Sequence, residues 1–450
     1  MHLELKRVNI LGLEIGGDSP DDILTGNGCM LVLILLGFTA FNYFYNGIFR
    51  PLFTDKIDFE AYYNAALAFK FGTPLYDLMI RFFEVGPAKY NGPLPYVYPP
   101  PFAVFLSPLA YMGFKYAVLF WNLVNQILFF TGVFLLIKTI ARKYSWMELG
   151  AMIFVCMNYR PLFIDHLLGQ CNIILFFLIV LSLYFYRSNK DVYAGISLAM
   201  ACVIKVIPFF LLVYFLWKRQ YKVFVAGVLM LCLIFVYSLL FFDIDLYVWY
   251  FNFMSNQTLF DAFHDNHALS GFFTRLLAHT IWTQGIINSL MAAKVCIALS
   301  SLTVIAVFFV LTRKRCEPKD DRTLHEYGLA IITMLLLSKM TSTPYLVMLL
   351  PSLGIWVHEL FKYRVSNKWI LLSAAAYGIV AIWYPLAAGK FLHMDAYRII
   401  LKGFWVNVFS IQFFALATFW WYFAFRPSAS KPSDILECES GKTSRLQVDQ

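Results

Sequence analysis

Residues 192–217 read VYAGISLAMACVIKVIPFFLLVYFLW, an apolar run broken by one charge, Lys205. Basic residues close it at both ends, with Arg187 and Lys190 before it and Lys218, Arg219 and Lys222 after it. In a membrane protein such clusters stay on the cytoplasmic side, so this run must leave that side and come back. One helical crossing takes about 20 residues, and a run of roughly 26 at 1.5 Å per residue cannot make two. The natural break is Lys205-Val206-Ile207-Pro208, because proline cannot continue the helical ladder. The run is therefore a broken-helix hairpin inside a membrane bundle.

Composition extends the reading to the whole chain. Of 450 residues, 60% are hydrophobic, 19% aromatic and only 14% charged, where a soluble domain carries about 25% charged residues. Apolar spans fall at about 29–49, 115–137, 146–163, 169–186, 192–217, 223–242, 287–311, 326–361, 367–388 and 403–424. Their length excludes a transmembrane β-barrel, whose strands are short and alternating. Segment 326–361 repeats the hairpin problem, with Ser338-Lys339 and Thr341-Ser342-Thr343-Pro344 as a polar tip between two apolar arms. Irregular backbone at membrane depth is tolerated where it is buried in protein or lines a cavity.

The basic clusters at Lys138/Arg142/Lys143, Arg187/Lys190, Lys218/Arg219/Lys222, Arg313/Lys314/Arg315 and Lys362/Arg364/Lys368 set the sides. They place loops at about 50–100, 243–286 and 389–402 outside. The expected fold is all-α and polytopic, with about twelve helices counting each hairpin arm and both termini cytoplasmic. Residues 1–28 form a cytoplasmic N-terminal segment, 29–424 a single transmembrane domain, and 425–450 a disordered cytoplasmic tail. The first span is a retained helix, too late and too long for a cleaved signal. The net charge of +9 lies in these inter-span clusters, which argues against nucleic acid as a partner. The eight cysteines are scattered without a CxxC, so neither a disulfide framework nor a zinc site is indicated.

The first outer loop is the most informative. Phe59, Tyr62/Tyr63, Ala66 and Phe69 recur at helical spacing, which predicts a short amphipathic helix at the membrane surface, ended by Gly72. Asp55 and Asp58 sit at its start. Carboxylates are favoured there as caps by free backbone N–H groups, and a capping carboxylate at the water boundary is also placed to take a proton from a hydroxyl. Tyr96-Val97-Tyr98-Pro99-Pro100-Pro101 follows, either a stiff entry to a re-entrant helix or an aromatic wall for stacking a sugar.

Lys205 is the most pointed single residue. A lysine at the bilayer centre costs about 2.5–3.5 kcal/mol, so it snorkels toward the interface or clamps an anion such as a lipid phosphate. Gln170 and Asn172 can face the same cavity, and Arg275 is the only Lys or Arg of the 243–286 loop, a second candidate for phosphate or carboxylate recognition. Asp261, His264, Asp265 and His267 form a D-x-x-H-D-x-H run, which fits a solvated loop as well as a metal, and no metal is assigned. The chain has no Walker A loop, GxSxG, HExxH or dinucleotide fingerprint, so no cofactor is expected.

In order along the chain stand five stretches. They are Asp58-x-x-x-Tyr62-Tyr63-x-Ala65-Ala66 with Gly72 and Leu75-Tyr76-Asp77, then Tyr98-Pro99-Pro100 with Pro108, and Gly169-Gln170-x-Asn172. Lys205-x-x-Pro208 with Trp217-Lys218-Arg219 follows, and last Asn266-x-x-x-Ser270-Gly271-x-x-x-Arg275. Together they resemble the polyprenol-phosphate-mannose-dependent α-1,2-mannosyltransferases, a membrane branch of the GT-C glycosyltransferases. The chain departs from that family at Ser338-Lys339-Met340-Thr341-Ser342-Thr343-Pro344-Tyr345, where the family has a Ser-Pro…Trp…His-like run.

The resemblance implies a GT-C bundle in a bacterial inner or plasma membrane. It implies a polyprenyl-phosphate-linked sugar as donor, mannose foremost, and a lipid or glycan acceptor on the outer side. Asp58 would be the general base, with Lys205 and Arg275 on the donor phosphate. Tyr62, Tyr63, Tyr98, Gln170, Asn172, Asn266 and Ser270 would line the substrate site. The rival reading is a transporter or flippase for a lipid-linked or anionic substrate, because broken hairpins also mark transporters. A polymerase or ligase of lipid-linked glycan is the third.

Overall fold

The computed structural model describes residues 8–10, 12–15, 26–54, 57–86, 90, 92–258, 261–382, 401–402 and 410–425. Asp55, most of the 389–402 loop and the tail after Phe425 lie outside them.

The described residues are mainly helical. Helices α1 (Gly26–Tyr43), α2 (Ile57–Phe71), α3 (Asp77–Val85) and α4 (Pro100–Leu106) lead into α5 (Phe114–Ile140), α6 (Trp146–Met157), α7 (Arg160–Leu168) and α8 (Asn172–Arg187). There follow α9 (Asp191–Ile204), α10 (Phe209–Trp217), α11 (Tyr221–Ser238), α12 (Ile244–Asn256), α13 (Leu269–Leu277) and α14 (Leu290–Leu311). The described chain closes with α15 (Asp321–Leu337), α16 (Leu350–Lys362), α17 (Asn367–Ile382) and α18 (Ile411–Phe425).

Among the described residues five helical stretches are long and apolar enough to cross a membrane: 114–140, 146–168, 221–238, 290–311 and 343–362. α11 and α14 turn exposed rows outward, with Val225, Leu229 and Leu233 on one and Met291, Leu299 and Leu302 on the other. A surface of that kind is at home in hydrocarbon, and the protein is an integral membrane protein. α8, α15 and α16 form the buried centre. Close approach is built in where α9 crosses α11, because a Cβ on Gly195 would lie 2.2 Å from the Val223 carbonyl; small residues let membrane helices meet backbone to backbone.

Both hairpin breaks fall where the sequence places them. α9 stops at Ile204, Lys205 is extended (φ −141°, ψ 138°), and α10 restarts behind Pro208. α15 stops at Leu337, and a 3-10 helix over Thr343–Leu349 leads into α16. Between them the Thr341 hydroxyl donates to the Leu335 carbonyl at 2.7 Å, giving a freed carbonyl of the last turn a partner. The amphipathic helix is present as α2, with Phe59, Tyr62 and Ala66 fully buried and Gly72 at φ +66° just after it.

Two features differ from the sequence reading. The span expected at 146–163 runs on to Leu168 as α6 and α7, with a bend at Asn158 and Tyr159. Pro161 at the start of α7 breaks the ladder there, and the Asn158 amide holds the bend by donating to Thr39 and accepting from Asn42, both at 2.8 Å and both on α1. The second difference lies in the N-terminal segment. Strands β1 (Val8–Ile10) and β2 (Leu13–Ile15) form an antiparallel hairpin, and β2 pairs in parallel with β3 (Lys143–Tyr144). A Glu14–Lys143 ion pair at 2.9 Å accompanies it, so this segment lies beside the 141–145 turn. At another point β4 (Thr283–Gln284) pairs with β5 (Leu401–Lys402), joining two of the loops expected to be on one side.

Candidate active site

The site grows from one tight turn. α7 ends on Gly169 in the left-handed region (φ 70°, ψ 33°), a conformation open to glycine without a Cβ clash. The Trp121 indole holds the turn by donating to the Gly169 carbonyl at 2.9 Å. The same ring packs on Phe59 and Tyr62 at 5.4 and 5.5 Å, tying α2 to the turn. Gln170 and Asn172, two residues apart, are thereby set in front of the first turn of α2, which carries Asp58.

A directed hydrogen-bond chain results. Lys205 Nζ donates to Asn172 Oδ1 at 2.7 Å, Asn172 Nδ2 donates to Gln170 Oε1 at 3.0 Å, and Gln170 Nε2 donates to Asp58 Oδ2 at 2.7 Å. The ends fix its polarity. An ammonium can only donate and a carboxylate only accept, so both amides must point the same way. Asn172 is fully buried and Lys205 nearly so, at 0% and 6% exposure. Asp58 is half-buried, and burial lifts its pKa from 3.8 to about 6, with the Gln170 bond and the Lys205 charge pulling the other way. That places a carboxylate within the range useful to a general base near neutral pH.

Aromatic rings wall this chain. The Lys205 ammonium lies 3.2 Å from the centre of the Tyr345 ring and 5.5 Å from that of Tyr98. The Tyr62 and Tyr98 hydroxyls share a 2.7 Å bond, and Tyr62 also reaches Cys171 Sγ at 3.3 Å. Burial holds both phenols well above their usual pKa, so they remain hydrogen-bond donors. Tyr76 donates to the Tyr98 carbonyl at 2.7 Å and stacks on Tyr250, so the Tyr96–Pro101 loop is clamped among aromatic side chains. Tyr63 stands apart, bonded to the Met112 carbonyl at 2.8 Å.

Asn266, Ser270 and Arg275 form a second set. The Asn266 Oδ1 accepts from the Thr341 amide at 3.1 Å, and Ser270 donates to the Lys339 carbonyl at 2.7 Å. Asp265 accepts from the Thr343 amide at 3.1 Å and bonds His267 at 3.1 Å. Burial alone would raise the Asp265 pKa, but the His267 and Thr343 bonds hold it below the usual carboxylate value. Burial drops His264 to about 4, leaving it neutral. Arg275 is fully buried. It donates to the Phe263 and Asn266 carbonyls at 2.7 Å and, through Nε and its other terminal nitrogen, to Ser410 Oγ at 3.2 Å. Burial pulls its pKa down to about 9. Among the described residues no three His, Cys, Asp or Glu side chains converge to hold a metal ion.

The structure thus brings Asp58, Tyr62, Tyr98, Gln170, Asn172 and Lys205 into one cluster. It joins Asn266 and Ser270 to the 338–345 segment, and Arg275 to Asn266, and the two sets meet at that segment, where Thr343 bonds Asp265 and Tyr345 covers Lys205. Sequence reasoning missed Tyr345, Cys171 and Asp165. Asp165 accepts from Asn172 Nδ2 at 2.7 Å and is fully buried. An aspartate inside an apolar span is a signal in itself, but hydropathy ends that span at 163 and leaves the residue in the gap before the next.

No curated protein matches the chain. Among solved structures, ArnT from Cupriavidus metallidurans bound to undecaprenyl phosphate is similar, with 14% identity and a TM-score of 0.39 over 89% of this chain and 75% of that one. The sequence profile of glycosyltransferase family 87 matches residues 96–338, more than half of the chain, from the Tyr98 loop through Lys205 to the tip of the second hairpin. The chain belongs to glycosyltransferase family 87 and is a membrane glycosyltransferase.

Proposed function

We propose that the enzyme moves a sugar, mannose foremost, from a polyprenyl-phosphate donor to an acceptor hydroxyl on the outer side of the membrane. The observation that carries the reading is the chain from Lys205 through Asn172 and Gln170 to Asp58. It holds a cation and a base at a fixed separation in one half-buried cluster. Asp58 takes the acceptor proton as the hydroxyl oxygen attacks the anomeric carbon. The bond from that carbon to the phosphate oxygen breaks, and the polyprenyl phosphate leaves with its electron pair beside the Lys205 ammonium. Stabilising that leaving charge is the chief demand such a reaction makes of a protein. One base and one displacement invert the anomeric centre, so a β-linked donor gives an α-linked product.

Tyr345, half-buried over Lys205, offers a face on which the sugar can stack, and Tyr98 and the fully buried Tyr62 back the site. Arg275 enters as the residue that fixes the 261–277 loop, since four of its five N–H donors already have protein partners. The outer location draws support from the basic clusters, which point both hairpin tips toward the outer surface, where the phosphate of a lipid-linked sugar lies. Purified protein in proteoliposomes, given polyprenyl-phosphate sugars and a panel of acceptors, tests the reading. A new α-glycosidic bond seen by mass spectrometry supports it, whereas sugar lipid moved across the bilayer with no such bond rejects it in favour of transport.

A further inference from the structure

The buried side chain of Asp165 is the one acidic group of this cluster without a part in the transfer. We infer that Asp165 is a positioning residue for that reaction: it holds the Asn172 amide so that the chain from Lys205 to Asp58 keeps a single polarity. The inference rests on the proposed transfer.

The geometry is specific. Asn172 Nδ2 carries two hydrogens, one directed to Asp165 Oδ1 at 2.7 Å and the other to Gln170 Oε1 at 3.0 Å, while its Oδ1 accepts from Lys205 at 2.7 Å. All three positions of the amide are occupied. A flipped Asn172 would turn its N–H groups on the Lys205 ammonium and its carbonyl on the Asp165 carboxylate. The ammonium has only donors and opposes the flip from one side, and the flip would break the 2.7 Å bond that Asp165 Oδ1 accepts on the other. Remove the carboxylate and only the lysine opposes the flip. Gln170 then loses its fixed donor, and Asp58 loses the orientation that Gln170 gives it.

A role in stability alone explains Asp165 poorly. It is 0% exposed, yet its Oδ2 has no hydrogen-bond partner among the described residues. Burying a half-satisfied carboxylate costs stability, and such local conflicts gather where function demands them. The Gly169 turn also explains how the contact forms, since it folds the last turn of α7 back onto the first residue of α8.

The test compares Asp165→Ala with Asp165→Asn in full-length protein in proteoliposomes, reading kcat, donor KM, the pH profile and binding of a sugar-free polyprenyl phosphate. Asp165→Ala should lower kcat on the order of 10²-fold, the scale of a small misplacement of reacting groups. It should also raise donor KM and shift the acidic limb, because the Gln170 bond to Asp58 is loosened and a neighbouring acidic side chain is lost. Asp165→Asn, whose carbonyl can still accept from Asn172, should recover most of the loss. Asn172→Ala should reproduce the Asp165→Ala pattern and serves in its place if that variant does not accumulate. The inference is overturned if Asp165→Ala, or Asn172→Ala in its stead, matches wild type in all four readouts, or if Asp165→Asn is as inactive as Asp58→Asn. A wild-type enzyme that neither transfers sugar nor binds the polyprenyl phosphate removes the functional reading and this inference with it.

Discussion

The Lys205 ammonium rests 3.2 Å from the centre of the Tyr345 ring, so the two helical breaks of the bundle meet at one point. A cation against an aromatic face gains about 0.5–2 kcal/mol according to how far it is desolvated. Tyr345→Phe keeps the ring and should change donor KM by less than about twofold, while Tyr345→Leu should raise it roughly three- to fivefold. Lys205→Met removes the charge itself and should raise donor KM about tenfold or more, the order expected of a lost charge-assisted phosphate contact. Steady-state kinetics with the donor varied decides both, and a Lys205→Met enzyme with wild-type donor KM would take this lysine out of the phosphate site.

Asp58→Asn should fold and insert as wild type does, because the asparagine carbonyl still accepts the Gln170 hydrogen bond. Transfer should nonetheless fall about 10²–10⁴-fold, the usual contribution of a positioned base. Radiolabelled sugar transfer at equal protein loading measures it. Persistent turnover would move the base elsewhere.

The pH profile carries its own sign. Burial raises Asp58 to about 6, and the base form exists above that value. As pH falls through about 6 the carboxylate protonates and kcat/KM should drop about tenfold per unit. The Gln170 bond works against burial, so Gln170→Leu should shift this limb to higher pH. A limb that stays put, or moves down, contradicts the assignment of the titrating group.

Arg275 tests stability more than affinity. Arg275→Met leaves the Phe263 and Asn266 carbonyls without their 2.7 Å donors, a loss of about 2–4 kcal/mol for buried groups. Thermal inactivation in detergent should begin at lower temperature, with donor KM close to wild type in the protein that survives. The opposite pattern, intact stability with a raised donor KM, would show that the guanidinium contacts the donor phosphate directly.

Much of the fold was legible because the membrane imposes simple rules. Span length and the placement of Lys and Arg located both hairpin breaks, and the helical spacing of Phe59, Tyr62 and Ala66 located α2. The bend at Asn158 has a signal in Pro161, two residues after Tyr159, but the amide bonds to Thr39 and Asn42 that hold it lie on a distant helix and could not be read. The site was legible residue by residue but not as a set. Gln170 and Asn172 stood out as polar groups at a helix start, yet which of their atoms face Lys205 and which face Asp58 depends on the Gly169 turn. Tyr345 could not be read as part of the site, because nothing in the sequence says that the two hairpin tips touch. Arg275 drew notice for its isolation; its bonds to Phe263, Asn266 and Ser410 are properties of a loop closing on itself.

The two amides between Lys205 and Asp58 also act as an insulator. Side-chain amides pass polarisation along but do not readily hand a proton on, so the cation and the carboxylate sense each other without exchanging one. Direct contact would have made a salt bridge and held Asp58 in the ordinary low range of a paired carboxylate, too weak a base for a hydroxyl. Separation by two side chains keeps the carboxylate basic and leaves the ammonium free to answer another anion. Two opposed charges can thus stand close together without cancelling.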